Sequence, residues 1–211
     1  MPSTRRIFVP AARLEGWLER FAEAQGGLEL TPDDDGLLAR AASGAEALLQ
    51  APWPDDGRPG RGPDDVARLV SLAGQSRTLG LVLLRRGGYA VGVSRDGLLL
   101  ASKAGTRYVQ GRTAAGGGSQ QRFARRRTNQ ADALVRTAAE QAARIFAEVP
   151  PEYLVPGGDR SLGQALAAEK PFAPWAALPR LAPLDVTDPK LAVLAQAARD
   201  AASVRVRVSV P

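Results

Sequence analysis

Residues 79–103 read LGLVLLRRGGYAVGVSRDGLLLASK and decide the fold of the central part of the chain. Apolar or alternating runs in this stretch predict strands at Leu79–Leu84, Tyr89–Ser94 and Leu98–Lys103. Gly87-Gly88 and Asp96-Gly97 separate the runs, and Asp-Gly is a strong signal for a tight hairpin turn. The stretch therefore predicts an antiparallel meander, which we expect to continue in a fourth strand over Tyr108–Arg112.

A long helix is predicted beyond the meander, over Arg122–Glu148. Its apolar stripe has helical spacing and consists of Leu134, Ala138, Ala142, Ile145 and Phe146. Alternatively, Asn129 could be an N-cap with Asp132 as a first-turn acid, in which case the regular helix would start later. Pro150-Pro151 ends the helix in either case.

The flanking segments supply the remaining elements. Strands are predicted at Arg5–Pro10, Leu28–Thr31, Tyr153–Val155 and Val204–Val210, and helices at Ala11–Ala24, after Asp64-Asp65, at Ser161–Glu169 and at Asp188–Ala202. Residues 37–51 predict a hairpin around Ser43-Gly44, with an Ala/Leu-rich helix as the rival interpretation. We expect the Pro-rich segment Phe172–Leu184 to pack through Phe172 and Trp175. Val204–Val210 carries Arg205 and Arg207 on one face, a pattern typical of a half-exposed strand.

These elements predict an α+β fold with an α/β-like order, in which helices pack on a mixed β-sheet. A small N-terminal α+β piece precedes this sheet. The loop Trp53–Gly62 is rich in Pro and Gly and is the best candidate boundary. The sequence therefore predicts two domains, residues 1–62 and 63–211.

The composition restricts the chemistry that the chain can perform. It contains no Cys and no His, which excludes thiolate and histidine metal sites and catalytic triads that use either residue. Aspartates at 33–35, 55 and 56 lie in predicted turns, so a carboxylate–magnesium nuclease is disfavoured. We expect no metal and no cofactor. No apolar run is long enough for a signal peptide or a membrane span, so we expect a cytoplasmic protein that does not bind membranes.

Positive charge is concentrated beside the meander. Residues 97–131 contain seven Lys or Arg and no Asp or Glu, whereas the whole chain carries a net charge of +6. At the centre of this run lies YVQGRTAAGGGSQQRFARRR, residues 108–127. A bare GGGS segment is most often an exposed linker. The arginines on both sides instead favour a polyanionic partner.

The glycines at 116–118 fit neither common phosphate cradle. A Walker loop requires a Lys before its Ser or Thr, and a dinucleotide fingerprint requires Gly-x-Gly-x-x-Gly after a parallel strand. The two glutamines after Ser119 offer a different chemistry. An amide does not titrate at neutral pH, but it can orient a water molecule or stabilise an oxyanion beside close backbone N–H groups.

This segment resembles the catalytic loop of the eukaryotic-type class I release factors, in the Gly-Gly-Ser-Gln variant of the release-factor-like peptidyl-tRNA hydrolases of ribosome quality control. The similarity is closest to the actinobacterial branch and covers about Leu79–Phe146. It implies an RNase H-like release-factor middle domain with the Gly/Gln loop at 113–121. It also implies hydrolysis, by water, of the ester that links a nascent peptide to tRNA on the large ribosomal subunit.

The resemblance assigns residues to this reaction. Gln120 falls on the catalytic glutamine, with Gln121 as an alternative, and Gly117, Gly118 and Ser119 complete the motif. Contacts with rRNA and tRNA are expected from Arg107, Arg112, Arg122, Arg125, Arg126 and Arg127, and Lys103 could extend them. The chain has no room for stop-codon-reading or GTPase-binding domains, so we expect codon-independent release by a monomer. The alternative is a ribosome- or RNA-binding factor without catalysis.

Overall fold

The computed structural model describes residues 3–106 and 120–211, with side chains at 4–106 and 129–211. The described residues form two compact units, Met1–Ser76 with Arg199–Pro211, and Arg77–Ala198. The described strands are β1 Ser3–Val9, β2 Leu28–Asp33, β3 Gly36–Ala41, β4 Glu46–Gln50, β5 Thr78–Arg85, β6 Gly88–Arg95, β7 Leu98–Thr106, β8 Tyr153–Gly158 and β9 Val204–Val210. The described helices are α1 Leu14–Gln25, α2 Asp65–Ala73, α3 Gln120–Glu148, α4 Arg160–Ala167 and α5 Leu191–Ala201.

The first unit is built on a sheet whose described strands run in the order β1-β9-β4-β3-β2. Every neighbouring pair in this order is antiparallel. Alternate residues of the strands point to one face, where they form the core with Leu14 and Leu18 of α1 and with Leu69 and Ala73 of α2. Gly26 ends α1 in the left-handed conformation, which glycine adopts without steric cost. Asp64 caps α2 by accepting a hydrogen bond from the Ala67 N–H.

The second unit is built on a sheet of order β7-β6-β5-β8. Strands β5, β6 and β7 form the predicted antiparallel meander, and β8 joins β5 in parallel after the chain has passed through α3. The sheet is therefore mixed, as predicted. α3 lies on one face, where its apolar stripe packs against Val82, Leu84, Tyr89, Val91 and Val93.

The C-terminal half of α3 is held by a close contact with β5. A Cβ atom at Gly80 would lie 2.7 Å from Cζ of Phe146, so the absence of a side chain at Gly80 admits the Phe146 ring. The ring is fully buried. Its centroid lies 5.9 Å from both the Phe172 ring and the Trp175 ring. The predicted packing of the Pro-rich segment through these two aromatic residues is confirmed.

Most predicted elements are confirmed, including the α+β class and the hairpin over residues 37–51. The interpretation in which Asn129 starts the helix is wrong, because α3 is continuous from Gln120. Arg, Gln and Ala dominate its first turns, and all three are good helix formers. The predicted strand Tyr108–Arg112 lies outside the described residues.

Strand β9 changes the predicted division of the chain. It lies between β1 and β4, so the sheet of the first unit contains the predicted strand Val204–Val210. The compact units therefore divide the chain near residue 76 and again near 199, whereas the sequence predicts one boundary, at Gly62. The physical reason is the apolar face of β9. Val204, Val206 and Val208 are buried in the core of the first unit.

Asp159 caps α4 and provides a test of local stability. Its carboxylate accepts hydrogen bonds from the Ser161 hydroxyl and N–H, at 2.7 and 2.9 Å, and from the Leu162 N–H at 3.3 Å. The Ser161 hydrogen bond, the backbone donors and the positive charge of Arg86 lower the pKa of Asp159 below its usual value. We expect Asp159→Ala to destabilise the protein by about 1 kcal/mol, or about 2–4 °C in thermal melting.

The same lowered pKa determines how this loss depends on pH. The stabilisation by the ionised carboxylate is present above the unfolded-state pKa and is lost as pH falls through the lower folded-state pKa. The difference in melting temperature between wild type and Asp159→Ala should therefore shrink in acid. Asp159→Asn is the control, because asparagine caps a helix without titrating. A difference that grows in acid would contradict this assignment.

Candidate functional site

The candidate site is the connection between β7 and α3. β7 ends at Thr106 and α3 begins at Gln120. Gln120 is therefore the first helical residue, and Gln121 follows it in the same turn. Five of the predicted site residues lie outside the described residues, namely Arg107, Arg112, Gly117, Gly118 and Ser119. The predicted Gly/Gln loop at 113–121 is thus divided, with its last two residues in the helix.

Several strand ends meet at the base of this connection. Register pairs Thr106 with Gly88, and Gly88 with Arg85, so the β5–β6 turn lies at the same sheet edge as the end of β7. The parallel strand β8 also ends there, because Gly158 pairs with Leu84. The connection therefore departs from the end of the sheet at which β5, β7 and β8 all end.

The last residues of β7 are fixed by a glycine contact. A Cβ at Gly105 would lie 2.6 Å from Cε1 of Tyr89, so only a glycine allows the two strands to pair at this ring. Burial raises the pKa of the Tyr89 hydroxyl above its usual value, and this direction of shift gives no sign of an ionised, reactive phenol. Tyr89 accordingly acts as a packing residue beneath the strand end.

α3 is longer than the strands of the sheet on which it packs. From Phe146, which packs on Gly80, back to Gln120 the helix rises about 39 Å. From Gly80 to Arg85, β5 spans only about 17 Å. This part of α3 is therefore more than twice as long as that part of β5.

The charged residues of α3 are distributed differently in its first turns and in the rest of the helix. Its first eight residues include Arg122, Arg125, Arg126 and Arg127, and no acid stands in the first turn. Cations are unfavourable at a helix N-terminus, where the macrodipole is positive and attracts anions. From Asp132 onward the exposed charges alternate in sign at four-residue spacing (Asp132, Arg136, Glu140, Arg144 and Glu148), which stabilises an exposed helix. The net positive charge of α3 therefore lies in its first eight residues.

The structure adds Arg86 to this region, a residue that sequence reasoning missed. Arg86 is exposed in the β5–β6 turn, whereas its neighbour Arg85 donates from Nε to the Val186 carbonyl at 2.8 Å and lies 3.6 Å from Asp185. The sequence does show the turn as Arg-Arg-Gly-Gly at residues 85–88. It does not show that this turn lies near Thr106, which depends on how β5, β6 and β7 pair. Lys103 is exposed on β7, and its register partner Val91 belongs to the face that α3 covers.

The aspartates considered for metal chemistry are occupied in local turns. Asp33 accepts from the Asp35 N–H, Asp55 from the Gly57 N–H, and Asp56 pairs with Arg58. Within the described parts of the chain, no group of acidic residues is arranged to hold a metal ion. None of the helices described there is long and apolar enough to cross a membrane.

Comparison with known proteins gives one family match. A family model described as the actinobacteria/chloroflexi VLRF1 release factor (acVLRF1) matches residues 77–207. The matched region spans the meander, the Gly-rich connection, α3 and most of β9, and it exceeds half of the chain. No curated protein matches the chain.

Proposed function

The chain belongs to the actinobacteria/chloroflexi VLRF1 release factors, and from this premise we propose that it is a codon-independent peptidyl-tRNA hydrolase. A release-factor-like role at the ribosome follows from the family. The proposal adds the reaction, the release of nascent peptides from tRNA on the large ribosomal subunit. The protein would perform it in the cytoplasm, as part of ribosome rescue.

One observation carries the proposal. The Gly-rich connection leaves the sheet at Thr106, the last residue of β7, and returns at Gln120, the first residue of a helix with four arginines among its first eight residues. Such an arrangement supports a loop that reaches into a site formed by another molecule. Because the net positive charge of α3 lies at this end of the helix, the favoured partner is RNA.

The proposed reaction needs only water as co-reactant. The water oxygen attacks the carbonyl carbon of the peptidyl ester, and the bond between that carbon and the ribose oxygen of tRNA breaks. The ribose oxygen leaves with a proton, and the peptide gains a free carboxyl group. Gln120 would orient the attacking water or donate to the developing oxyanion, because its amide cannot remove a proton.

The remaining predicted residues have supporting roles. Gly117 and Gly118 would let the backbone approach the tRNA acceptor end closely, with Ser119 as the spacer before Gln120. Contacts with rRNA and tRNA phosphates are assigned to Arg107, Arg112, Arg122, Arg125, Arg126 and Arg127. Arg86 and Lys103 extend the same positive region at its base.

The test is release of a labelled peptide from peptidyl-tRNA bound to isolated large subunits. We expect release in the absence of small subunits and mRNA, because nothing in the proposal requires a codon. Binding without release would favour the alternative, a ribosome-binding factor without catalysis. The variant that separates the two functions most sharply is Gln120→Ala.

A further inference from the structure

A second set of arginines comes together on the sheet of the first unit. β1 and β9, which are far apart in the sequence, contain Arg5, Arg6, Arg205 and Arg207 and no Asp or Glu. Register pairs Arg6 with Arg207 and Phe8 with Arg205. Paired residues of antiparallel strands share a face. The face opposite the apolar core therefore carries Arg6, Phe8, Arg205 and Arg207, which we call the arginine face.

No acid neutralises the arginine face. The nearest carboxylate in register is Glu46, whose partner on β9 is Ser209, and Glu46 is already bridged to Arg40 at 3.1 Å. Across the described residues, Arg6, Arg205 and Arg207 have no carboxylate within ion-pair distance. Like charges placed directly opposite each other destabilise a sheet. The fold nevertheless places Arg6 opposite Arg207 without an acidic residue to compensate their charge.

Arg205 retains an unused hydrogen-bond donor. Its Nε is buried and has no hydrogen-bond partner in the described part of the chain. Its guanidinium carbon lies 5.8 Å from the centroid of the Phe8 ring. Burial, and then the charge of Arg6, lower the pKa of Arg205. An anion bound to the arginine face would offset the repulsion between the guanidinium groups.

We propose that the arginine face binds the phosphate backbone of RNA, as a second contact surface separate from the residues around α3. Arg205 and Arg207 are two residues apart on one strand and so about 7 Å apart, comparable with the separation of neighbouring phosphates along a strand. Arg6 stands opposite Arg207, and guanidinium groups bind phosphate oxygens bidentately. Phe8 places an aromatic ring beside these charges, as in sheets that stack bases. Only the identity of the RNA, ribosomal RNA, rests on the proposed function.

The test is Arg6→Gln with Arg205→Gln and Arg207→Gln in the full chain, titrated against a short fluorescein-labelled RNA at several salt concentrations. We expect the affinity for the RNA to fall about tenfold or more. The slope of log K against log salt should become less steep by about 2, because three phosphate contacts are lost. The matched control replaces Arg13, Arg20 and Arg180, which are exposed elsewhere, and removes the same charge. It should change the slope by less than 1.

Two further variants keep the outcome interpretable. Arg6→Gln with Arg207→Gln alters only exposed side chains and should fold if the triple variant does not. Lys at all three positions should retain most of the salt slope but lose bidentate affinity. The proposal is overturned if the arginine-face variant and the control variant reduce the salt dependence of RNA binding equally. It is also overturned if the arginine-face variant keeps its RNA binding and loses only binding to phosphatidylglycerol vesicles. The readout is RNA binding, so absent peptide release would contradict the proposed function and leave this inference standing.

Discussion

Replacing Gln120 with alanine should reduce peptide release from large subunits by about a hundred- to a thousandfold. The amide is the group that we assign to positioning water or the oxyanion, and loss of one such group has this magnitude in other enzymes. Affinity for the subunit should change little, since the arginines supply it. The measurement is single-turnover release of labelled peptide, with binding measured in parallel. Release at the wild-type rate would exclude Gln120 as the catalytic residue.

Gln121→Ala is the matched control for this experiment. Both glutamines begin α3, so the two variants differ by one helical position and remove the same amide. Successive residues of a helix are about 100° apart around its axis, so the two positions are not equivalent. We expect Gln121→Ala to keep most of the release activity. If the two effects are reversed, the register of the motif shifts by one residue and Gln121 takes the assigned role.

The second large effect is expected for Phe146→Ala, which should destabilise the second unit by about 3–5 kcal/mol. Phe146 is fully buried, fills the space that Gly80 leaves open on β5, and contacts Phe172 and Trp175. Removing the ring leaves a cavity bordered by a helix, a strand and two aromatic side chains, which cannot all close around it. The measurement is urea unfolding followed by tryptophan fluorescence, to which Trp175 contributes from the second unit and Trp17 and Trp53 from the first.

Phe21→Ala provides the comparison for Phe146→Ala. Phe21 is only half-buried, stacks on Trp17 at 5.1 Å and belongs to the first unit. We expect a smaller loss, about 1–2 kcal/mol, because less apolar area is removed from the interior. Equal losses at the two positions would show that Phe146 is not the anchor of α3. Loss of release by Phe146→Ala should follow the unfolded fraction, which distinguishes this structural effect from that of Gln120→Ala.

Local patterns in the sequence were sufficient for the elements of the second unit. Alternation and Asp-Gly turns identify hairpins because these signals are contained within a few neighbouring residues. The aromatic packing of Phe172 and Trp175 was also predictable, since burying large apolar side chains in the core is favourable. The proposed catalytic motif was identified by resemblance, and the described structure adds the elements on either side of it, β7 and α3.

Long-range pairing was not accessible from the sequence. The alternation of VRVRVSV specifies a strand, but it does not specify β1 and β4 as its neighbours. For the same reason the alternation placed Arg205 and Arg207 on one face of a strand but could not show that Arg6 and Phe8 join them from a distant strand. Arg86 was missed because its position near Thr106 depends on two successive strand registers.

The place of β9 also bears on how the chain folds as it is synthesised. The second unit is contiguous, so its strands and helices are all available once residue 198 has emerged. The first unit must wait for β9, because that strand separates β1 from β4 in the sheet. Residues 1–76 therefore remain without β9 while the second unit folds. A protein proposed to act on ribosomes thus completes the sheet that contains β1 only after the second unit has emerged from its own ribosome.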